Sequence, residues 1–258
     1  MKDVQNEHDN RNITIDRVGV KNVSYPITVV QKNNTQQTIA NISMSVKLAD
    51  EFRGTHMSRF IDTLKEYNNK ISPDNLKKIT ARLCEKLGAS ESSVVFEFPY
   101  HFKKLSPVSK IESYSRCDIS MTGNFERGNF DYMLGINLNV QTLCPCSKEI
   151  SDYGAHNQRA LINLSVRFFN EPVEFEELIN IIENASSSPL HTLLKREDEK
   201  FVTEHAYNKP RFVEDVLREL ALSLNNDARI SWYKIIVESY ESIHNHNAFS
   251  EIERLKKI

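Results

Sequence analysis

Glycine is scarce in this sequence, and its scarcity excludes two large classes of nucleotide-binding protein. The 258 residues contain only 7 glycines, and no glycine-rich loop follows any strand-like segment. Rossmann and P-loop proteins need such a loop, because its backbone N–H groups hold the phosphates of the nucleotide. The sequence therefore argues against both architectures.

Long apolar runs and a strong net charge are also missing. No apolar run approaches the roughly 18–20 residues that span a bilayer, and residues 1–12 are too polar for a signal peptide. The formal net charge is only −2, so no overall basic field indicates nucleic acid or an anionic membrane as a partner. Any phosphate-bearing ligand must be held by local clusters of side chains.

Only four cysteines occur, and two of them stand close to a histidine. Cys84 and Cys117 are isolated in core-like segments, which indicates a reduced, cytoplasmic protein. Cys144 and Cys146 are separated only by a proline, and His156 follows ten residues later. Two thiols and an imidazole without a second Cys-x-x-Cys suggest an incomplete, catalytic zinc-type site with a water-filled position. The alternative is a pair of small buried residues beside a surface histidine.

Hydrophobic periodicity predicts an α+β protein built from one repeated unit. The alternation of residues 42–48 predicts a half-buried strand, and the apolar stripe of residues 57–64 predicts an amphipathic helix. A second helix is expected to follow its N-cap, Ser72, and to end at Gly88. Strand-like segments at about 92–103 and 111–125 complete the first copy.

The second copy repeats the order β-β-α-α-β-β. An alternating strand over residues 132–140 leads to Cys144. It is followed by predicted strands at 162–168 and from 230 to about 241, with helices at 175–182 and 212–224. Each copy is expected to form a mainly antiparallel sheet with two helices on one face. The predicted organisation is a mobile arm at residues 1–12, a module at 13–128 and a module at 129–258 that carries the metal site.

The sequence around the cysteine pair resembles the signature of a known family. Leu-Cys-Pro-Cys-Ser-Lys-Glu-Ile-Ser, followed by Tyr-Gly-Ala-His-Asn-Gln-Arg, is similar to the motif of the GTP cyclohydrolase IB family, metal-dependent enzymes that open the pterin and queuosine pathways. Three further segments agree with that family: Gly54–Phe60, Leu194–Glu204 running into Pro210–Asp215, and Ser239–His244. The resemblance covers roughly residues 12–250.

This resemblance implies a fold, an activity and a cofactor. The family folds as two tandem tunnelling-fold (T-fold) modules per chain, which associate into a homo-oligomer, typically a tetramer, with sites near the subunit interfaces. The implied substrate is GTP, and the products are 7,8-dihydroneopterin triphosphate and formate, the first step of folate (pterin) or queuosine biosynthesis. The implied cofactor is one divalent metal per subunit, which is zinc, manganese or iron(II).

The same resemblance assigns the metal ligands. It places Cys144 and His156 on the metal, and the motif Lys-Arg-x-Asp-Glu points to Glu199 as the third ligand, with Glu204 as its main rival. Taken alone, this acidic run would be interpreted as a solvated loop. Cys146 is expected beside the metal, as a proton donor or redox-sensitive neighbour, because a Cys₂-His-Glu shell would leave no open position for water.

Proton transfer and ring recognition are assigned to segments near the carboxyl terminus. His244 follows the last strand, and an imidazole there can both give and take protons near neutral pH. His246 is a rival for that role, and Glu241 would orient His244 or contact the ring. Glu214 is expected to accept hydrogen bonds from the N1 and amino groups of guanine. The alternative for Glu214 is a carboxylate that is favoured in a first helical turn whatever its function.

Basic side chains are expected to hold the triphosphate, since guanidinium groups bind phosphate oxygens in pairs. The expected residues are Lys148, Arg159, Lys195, Arg196 and Arg211 in the second half of the chain, and His56 and Arg59 in the first half. Individually, each of them is more often an ordinary surface charge. Because the last two belong to the module without the metal ligands, the pocket is expected to be assembled across a subunit boundary.

Two other functions stay open at this stage. One is a T-fold enzyme that acts on a different pterin or on a deazapurine, and such relatives lack the Cys-Pro-Cys…Gly-Ala-His segment. The other is a non-catalytic, metal-stabilised binding module, which would need a closed four-ligand metal shell without water.

Overall fold

The computed structural model describes residues 4–5, 7–32 and 34–256. The described residues form ten strands and six helices and divide into two compact units. Unit 1 contains the described residues up to Pro99 together with Ile119–Leu134. Unit 2 contains Tyr100–Asp118 together with the described residues from Gly135 onwards.

Strands and helices are interspersed along the described chain. The first eight are β1 (Ile15–Val30), β2 (Thr35–Leu48), α1 (Ser58–Glu66), β3 (Lys70–Ile71), α2 (Pro73–Leu87), β4 (Glu91–Leu105), β5 (Glu112–Glu126) and β6 (Asn129–Leu143). The other eight are α3 (Pro145–Ile150), β7 (Asn157–Phe168), α4 (Phe175–Ala185), β8 (Ser188–Pro189), α5 (Arg196–Asn208), α6 (Val213–Asn226), β9 (Ile230–Ser239) and β10 (Ala248–Leu255). Three of the strands, β4, β5 and β6, contribute residues to both units.

Unit 1 is a hairpin-based sheet with two helices. β1 and β2 pair as a long antiparallel hairpin, β2 pairs antiparallel with β4, and β3 runs parallel to β1. The predicted helix boundaries are confirmed at α2, where the Asn75 N–H donates to the Ser72 hydroxyl at 3.2 Å. The helix ends at Gly88, whose φ of 63° is left-handed and therefore costs a glycine little.

Unit 2 contains the strand order β10-β9-β7-β6, and the short β8 pairs with β6. β7 pairs antiparallel with β9, and β9 pairs antiparallel with β10. The helices α4 and α6 bury their apolar stripes, which include Leu178, Ile182, Leu220 and Leu224. Each such side chain contributes about 1.5–3 kcal/mol when it is fully buried, so these two helices hold the layer against the strands. The predicted α+β class is confirmed.

Four elements of unit 2 are absent from the sequence predictions: the short α3 and β8, and the longer α5 and β10. α5 buries only Asp198 and Ala206, so its sequence has no apolar stripe to reveal a helix. β10 lies at the edge of the sheet and turns Phe249 outward. Its inward face is Ala248, Ser250 and Ile252, which is only weakly apolar. Among the described residues, no helix is both long and apolar enough to cross a membrane.

The predicted arm at residues 1–12 makes backbone hydrogen bonds in unit 1. Gly54 donates to the carbonyl of Gln5, and Arg53 donates to the carbonyl of Glu7, both at 3.1 Å. Composition did not predict this pairing, and part of the arm, residues 1–3 and 6, lies outside the described residues. The modules at 13–128 and 129–258 stay a prediction, because the two compact units divide β4, β5 and β6 between them.

Candidate metal and active site

The strand end that precedes Cys144 is fixed from two sides in unit 2. Leu143 closes β6, and its backbone N–H donates to the buried Ser187 hydroxyl at 3.1 Å. Its carbonyl accepts from the Arg211 N–H at 3.0 Å. Since Ser187 precedes β8 and Arg211 precedes α6, two further elements lock the last residue of the strand. Cys144 therefore leaves the sheet from a rigid point.

Cys144 itself begins α3 and has a defined orientation. It is the N-cap residue, followed by Pro145 at the first helical position, and it is half-buried. The Ser147 N–H donates to the Cys144 sulfur at 3.5 Å, and the Ser147 hydroxyl donates to the Cys144 carbonyl at 3.3 Å. Cys146 lies one residue into the helix, where its thiol is free and exposed.

His156 is held against Cys144 through the backbone. The Cys144 N–H donates to the His156 carbonyl at 3.1 Å, and the His156 N–H donates to the Ser147 hydroxyl at 3.1 Å. The loop after α3 thus returns to the strand end from which it started. The two residues that the motif singled out are brought together by this local hydrogen bonding.

The His156 ring belongs to a polar network that also includes Glu241. Its Nδ1 lies 2.9 Å from the Gln158 Oε1, and the Gln158 amide nitrogen donates to the Glu241 Oε1 at 3.3 Å. The Ser242 hydroxyl donates to the same Gln158 oxygen at 3.3 Å. The sequence motif contains Gln158 but indicates no role for it. Its position two residues after His156, at the start of β7, is the one available signal, because that spacing puts two side chains on the same side of an extended segment.

The two predicted ligands, Cys144 and His156, fit a zinc-type ion by their chemistry. Because Nδ1 is occupied by Gln158, the other ring nitrogen, Nε2, is the one left for a metal, and the thiolate is the preferred partner of zinc. Among the residues that the structure describes, no three histidine, cysteine, aspartate or glutamate side chains form a group that could hold a metal ion. Within the described residues, therefore, no third side chain of these types lies with Cys144 and His156 in a metal-binding group.

The rival carboxylates Glu199 and Glu204 both lie on α5 and are exposed. A cleft of about 760 Å³ in unit 2 is lined by Leu143 and Ala155, the neighbours of Cys144 and His156, and by Glu204 and Tyr207. Of the two rivals, Glu204 lines this cleft, one and a half turns beyond Glu199 on the helix.

The start of α5 is anchored by Asp198, which is fully buried. Its carboxylate accepts hydrogen bonds from the Val108 N–H at 2.8 Å, the Ser109 N–H at 2.9 Å, the Ser109 hydroxyl at 2.6 Å and the Lys195 N–H at 2.9 Å. Burial alone would raise the pKa of Asp198, but these hydrogen bonds outweigh it and hold the pKa well below its usual range. The sequence gives no sign of this anchor, because an acidic run is typical of a solvated loop.

The basic residues of the second half occupy different surroundings. Lys148 donates to the Tyr207 carbonyl at 2.6 Å and lies 4.3 Å from the centre of the Tyr207 ring. Arg211 lies 3.4 Å from the Glu219 carboxylate, and its buried Nε has no hydrogen-bond partner among the described residues. The remaining three are exposed: Arg159 on β7, and Lys195 and Arg196 at the start of α5.

The other predicted site residues are distributed over both units. Glu214 is exposed in the first turn of α6, as predicted. His244 and His246 are exposed after β9, and their rings stack with centroids 5.1 Å apart. In unit 1, His56 and Arg59 surround the start of α1, and the Arg59 guanidinium donates to the Lys86 carbonyl at 2.9 Å.

Comparison with known proteins gives two kinds of similarity. The model of a family described as type I GTP cyclohydrolase folE2 matches residues 1–250. GTP cyclohydrolase FolE2 of Pseudothermotoga lettingae is 50% identical over 258 residues and the same-named protein of Kosmotoga olearia is 50% identical over 261 residues, with both chains fully covered in each case.

The similarity to solved structures concerns the fold alone. Uricase from Arthrobacter globiformis has a TM-score of 0.55 at 9% sequence identity, and the match covers 94% of each chain. Urate oxidase from Bacillus sp. TB-90 has a TM-score of 0.54 at 10% identity, covering 94% of this chain and 100% of that one. At such low identity, these matches do not carry an activity from one protein to another.

Proposed function

The chain belongs to the type I GTP cyclohydrolase folE2 family, and we propose that it hydrolyses GTP to 7,8-dihydroneopterin triphosphate and formate with one bound divalent metal. GTP cyclohydrolase activity is shown by full-length relatives of that name at 50% identity. The products and the metal are the proposed part. Zinc, manganese and iron(II) all suit a shell that combines a thiolate, an imidazole and a carboxylate.

One observation supports the metal site above all others. The backbones of Cys144 and His156 are hydrogen-bonded to each other at 3.1 Å, and the His156 Nδ1 is already occupied by Gln158. This arrangement presents one sulfur and one imidazole nitrogen from a single rigid loop. When bound, the divalent ion supplies an activated water and a Lewis acid for attack at C8 of the guanine ring. Cys144, His156 and Glu199 would hold it.

The remaining residues would bind GTP and move protons. Glu214, at the start of α6, would accept hydrogen bonds from the guanine N1 and amino groups, and a carboxylate matches that donor pair better than an amide. Cys146, exposed beside Cys144, and His244, exposed after β9, would give and take protons during ring opening. Glu241 would assist from the network that it forms with Gln158.

The triphosphate would be held by the basic residues. They are Lys148, Arg159, Lys195, Arg196 and Arg211, with His56 and Arg59 contributed by another subunit. The buried Nε of Arg211, which lacks a hydrogen-bond partner among the described residues, is consistent with a ligand-facing guanidinium.

The finer architecture belongs to the same proposal. We propose two tandem T-fold modules in the order ββααββ, which associate into a homotetramer with sites near the subunit interfaces. The order of long strands and helices along the chain and the fold similarity to uricases support the two modules. A cytoplasmic location and a place at the start of folate or queuosine biosynthesis are proposed with it.

Metal analysis combined with an assay of formate release from GTP tests the proposal. The purified protein is expected to contain a single divalent ion per chain, and formate release should stop on chelation and resume when the metal is restored. Metal-free protein that turns over GTP at the full rate would contradict the metal-dependent mechanism. Metal-loaded protein that releases no formate from GTP would contradict the reaction itself.

A further inference from the structure

We propose that Gln158 is a positioning residue that fixes the tautomer of His156, with the proton on Nδ1 and the lone pair on Nε2. The tautomer follows from the hydrogen-bond network by itself. Its consequence for metal binding rests on the proposed function, in which His156 is a ligand.

The orientation of the Gln158 amide is determined by its neighbours. An ionised carboxylate can only accept hydrogen bonds, so the group that faces the Glu241 Oε1 at 3.3 Å must be the amide nitrogen of Gln158. The amide oxygen then points to the other side. There it accepts from the Ser242 hydroxyl at 3.3 Å. The Ser242 hydroxyl, which can donate or accept, fits this orientation, and the carboxylate decides it.

The orientation of the amide decides which nitrogen of His156 carries the proton. An amide oxygen is an acceptor, and it lies 2.9 Å from the His156 Nδ1. A hydrogen bond at that distance requires Nδ1 to be the donor. The Glu241 Oε2, 3.9 Å from the same nitrogen, favours a proton there as well. In the neutral ring, Nε2 is consequently unprotonated.

Burial makes this choice strong. The side chains of His156 and Glu241 are only 13% and 12% exposed. Because so little of either side chain is exposed, water replaces a missing partner only in part, and a lone pair facing a lone pair is costly. Metals bind the unprotonated nitrogen, and partners that fix the ring in this way typically change metal affinity by roughly 10–100-fold. Gln158 thus keeps the Nε2 of His156 unprotonated and available to a metal.

Nitrogen-15 NMR of histidine-labelled, metal-free protein tests the tautomer directly. At about pH 8, where an ordinary histidine is neutral, the His156 Nδ1 of the wild type should show the shift of a protonated nitrogen. Gln158→Leu should move both ring nitrogens toward the values of a tautomer mixture.

Gln141→Leu is the matched control, because Gln141 donates to the nearby Asn157 Oδ1 at 3.0 Å and is not part of the His156 network. Its His156 signals should equal those of the wild type. A wild-type His156 protonated on Nε2 would overturn the proposal. So would unchanged signals in Gln158→Leu.

Zinc affinity, measured by competition with a chelator, tests the consequence for the metal. Gln158→Leu should bind zinc roughly 10–100-fold more weakly. Wild-type affinity in Gln158→Leu would overturn this consequence. If His156→Ala also binds zinc normally, the ligand assignment of the proposed function is overturned, while the NMR result still decides the tautomer.

Discussion

Two parts of unit 2 carry the expected metal ligands, and they differ in how they are held. Cys144 and His156 lie on a loop whose two ends are tied by backbone hydrogen bonds and whose preceding strand is locked by Ser187 and Arg211. α5, which carries the carboxylates, buries only two of its 13 residues and is held mainly at its ends. The fold therefore holds the proposed sulfur and nitrogen ligands on a rigid loop.

The carboxylate half depends on a helix with little packing of its own. Such an element belongs to the low-stability end of a structure, where local opening costs little free energy. We therefore expect changes in the loop to abolish the site, whereas changes at the ends of α5 should weaken it by degrees.

Removing a donor from the rigid loop should have the largest effect. Cys144→Ala and His156→Ala are each expected to lose the bound metal and all measurable formate release, because each removes one of the three proposed ligands. Circular dichroism and gel filtration should be unchanged, since neither side chain belongs to the buried apolar core. Full metal occupancy with near-normal activity in either variant would contradict the claim that this loop supplies the metal ligands.

His244→Ala should have the next largest effect. The metal and the affinity for GTP should survive, while formate release falls by about 10²–10⁴-fold, the usual contribution of a general acid–base group. His246→Ala, which removes the ring stacked on it, should stay within a few-fold of the wild type. If the two variants exchange these phenotypes, the proton-transfer role belongs to His246.

Asp198→Asn should loosen the start of α5. Four donors face the carboxylate, and an asparagine would turn an NH₂ group toward some of them. Because Glu199 is the next residue, zinc affinity should fall by roughly 10–100-fold, the usual effect of losing a group that orients a ligand.

Glu197→Gln is the matched control for Asp198→Asn, since it removes the same charge from an exposed position in the same turn. Its zinc affinity should remain close to that of the wild type. Equal losses in the two variants would mean that net charge, rather than anchoring, explains the effect of Asp198.

Lys148→Met should produce the smallest change. It removes the contact to the Tyr207 carbonyl and ring at the last turn of α5, and a cation–π contact near the surface contributes about 0.5–1 kcal/mol. Amide hydrogen exchange in that turn should quicken about 2- to 5-fold, as that energy implies. Lys200→Met, in the exposed pair with Glu204, should change exchange less. Equal exchange rates in the two variants would mean that Lys148 does not anchor the last turn of α5.

The elements with a strong apolar pattern could be predicted from the sequence. α2, for instance, has both a stripe of leucines and its end signals, Ser72 and Gly88, in the local sequence. α5 could not be predicted, since its anchor is a buried carboxylate rather than an apolar face. β10 is stabilised by its pairing with β9, and that pairing is not visible in its own side-chain pattern.

The residues of the candidate site also differ in whether the local sequence reveals them. The closeness of Cys144 and His156 follows from a short local motif, so it could be expected from the sequence. Gln158 and Asp198 act through partners that are far away in the chain: Glu241 is 83 residues from Gln158, and Ser109 is 89 residues from Asp198. Only the folded chain reveals these roles.

X-ray absorption spectroscopy of the zinc-loaded protein tests the central claim most directly, because it counts the donor atoms around the metal. The account predicts one sulfur at about 2.3 Å and only nitrogen and oxygen donors at about 2.0–2.2 Å. The single sulfur should remain in Cys146→Ala, whereas Cys144→Ala should retain no zinc. Two sulfurs in the wild type, or none, would contradict a metal held by Cys144 and His156 on the rigid loop.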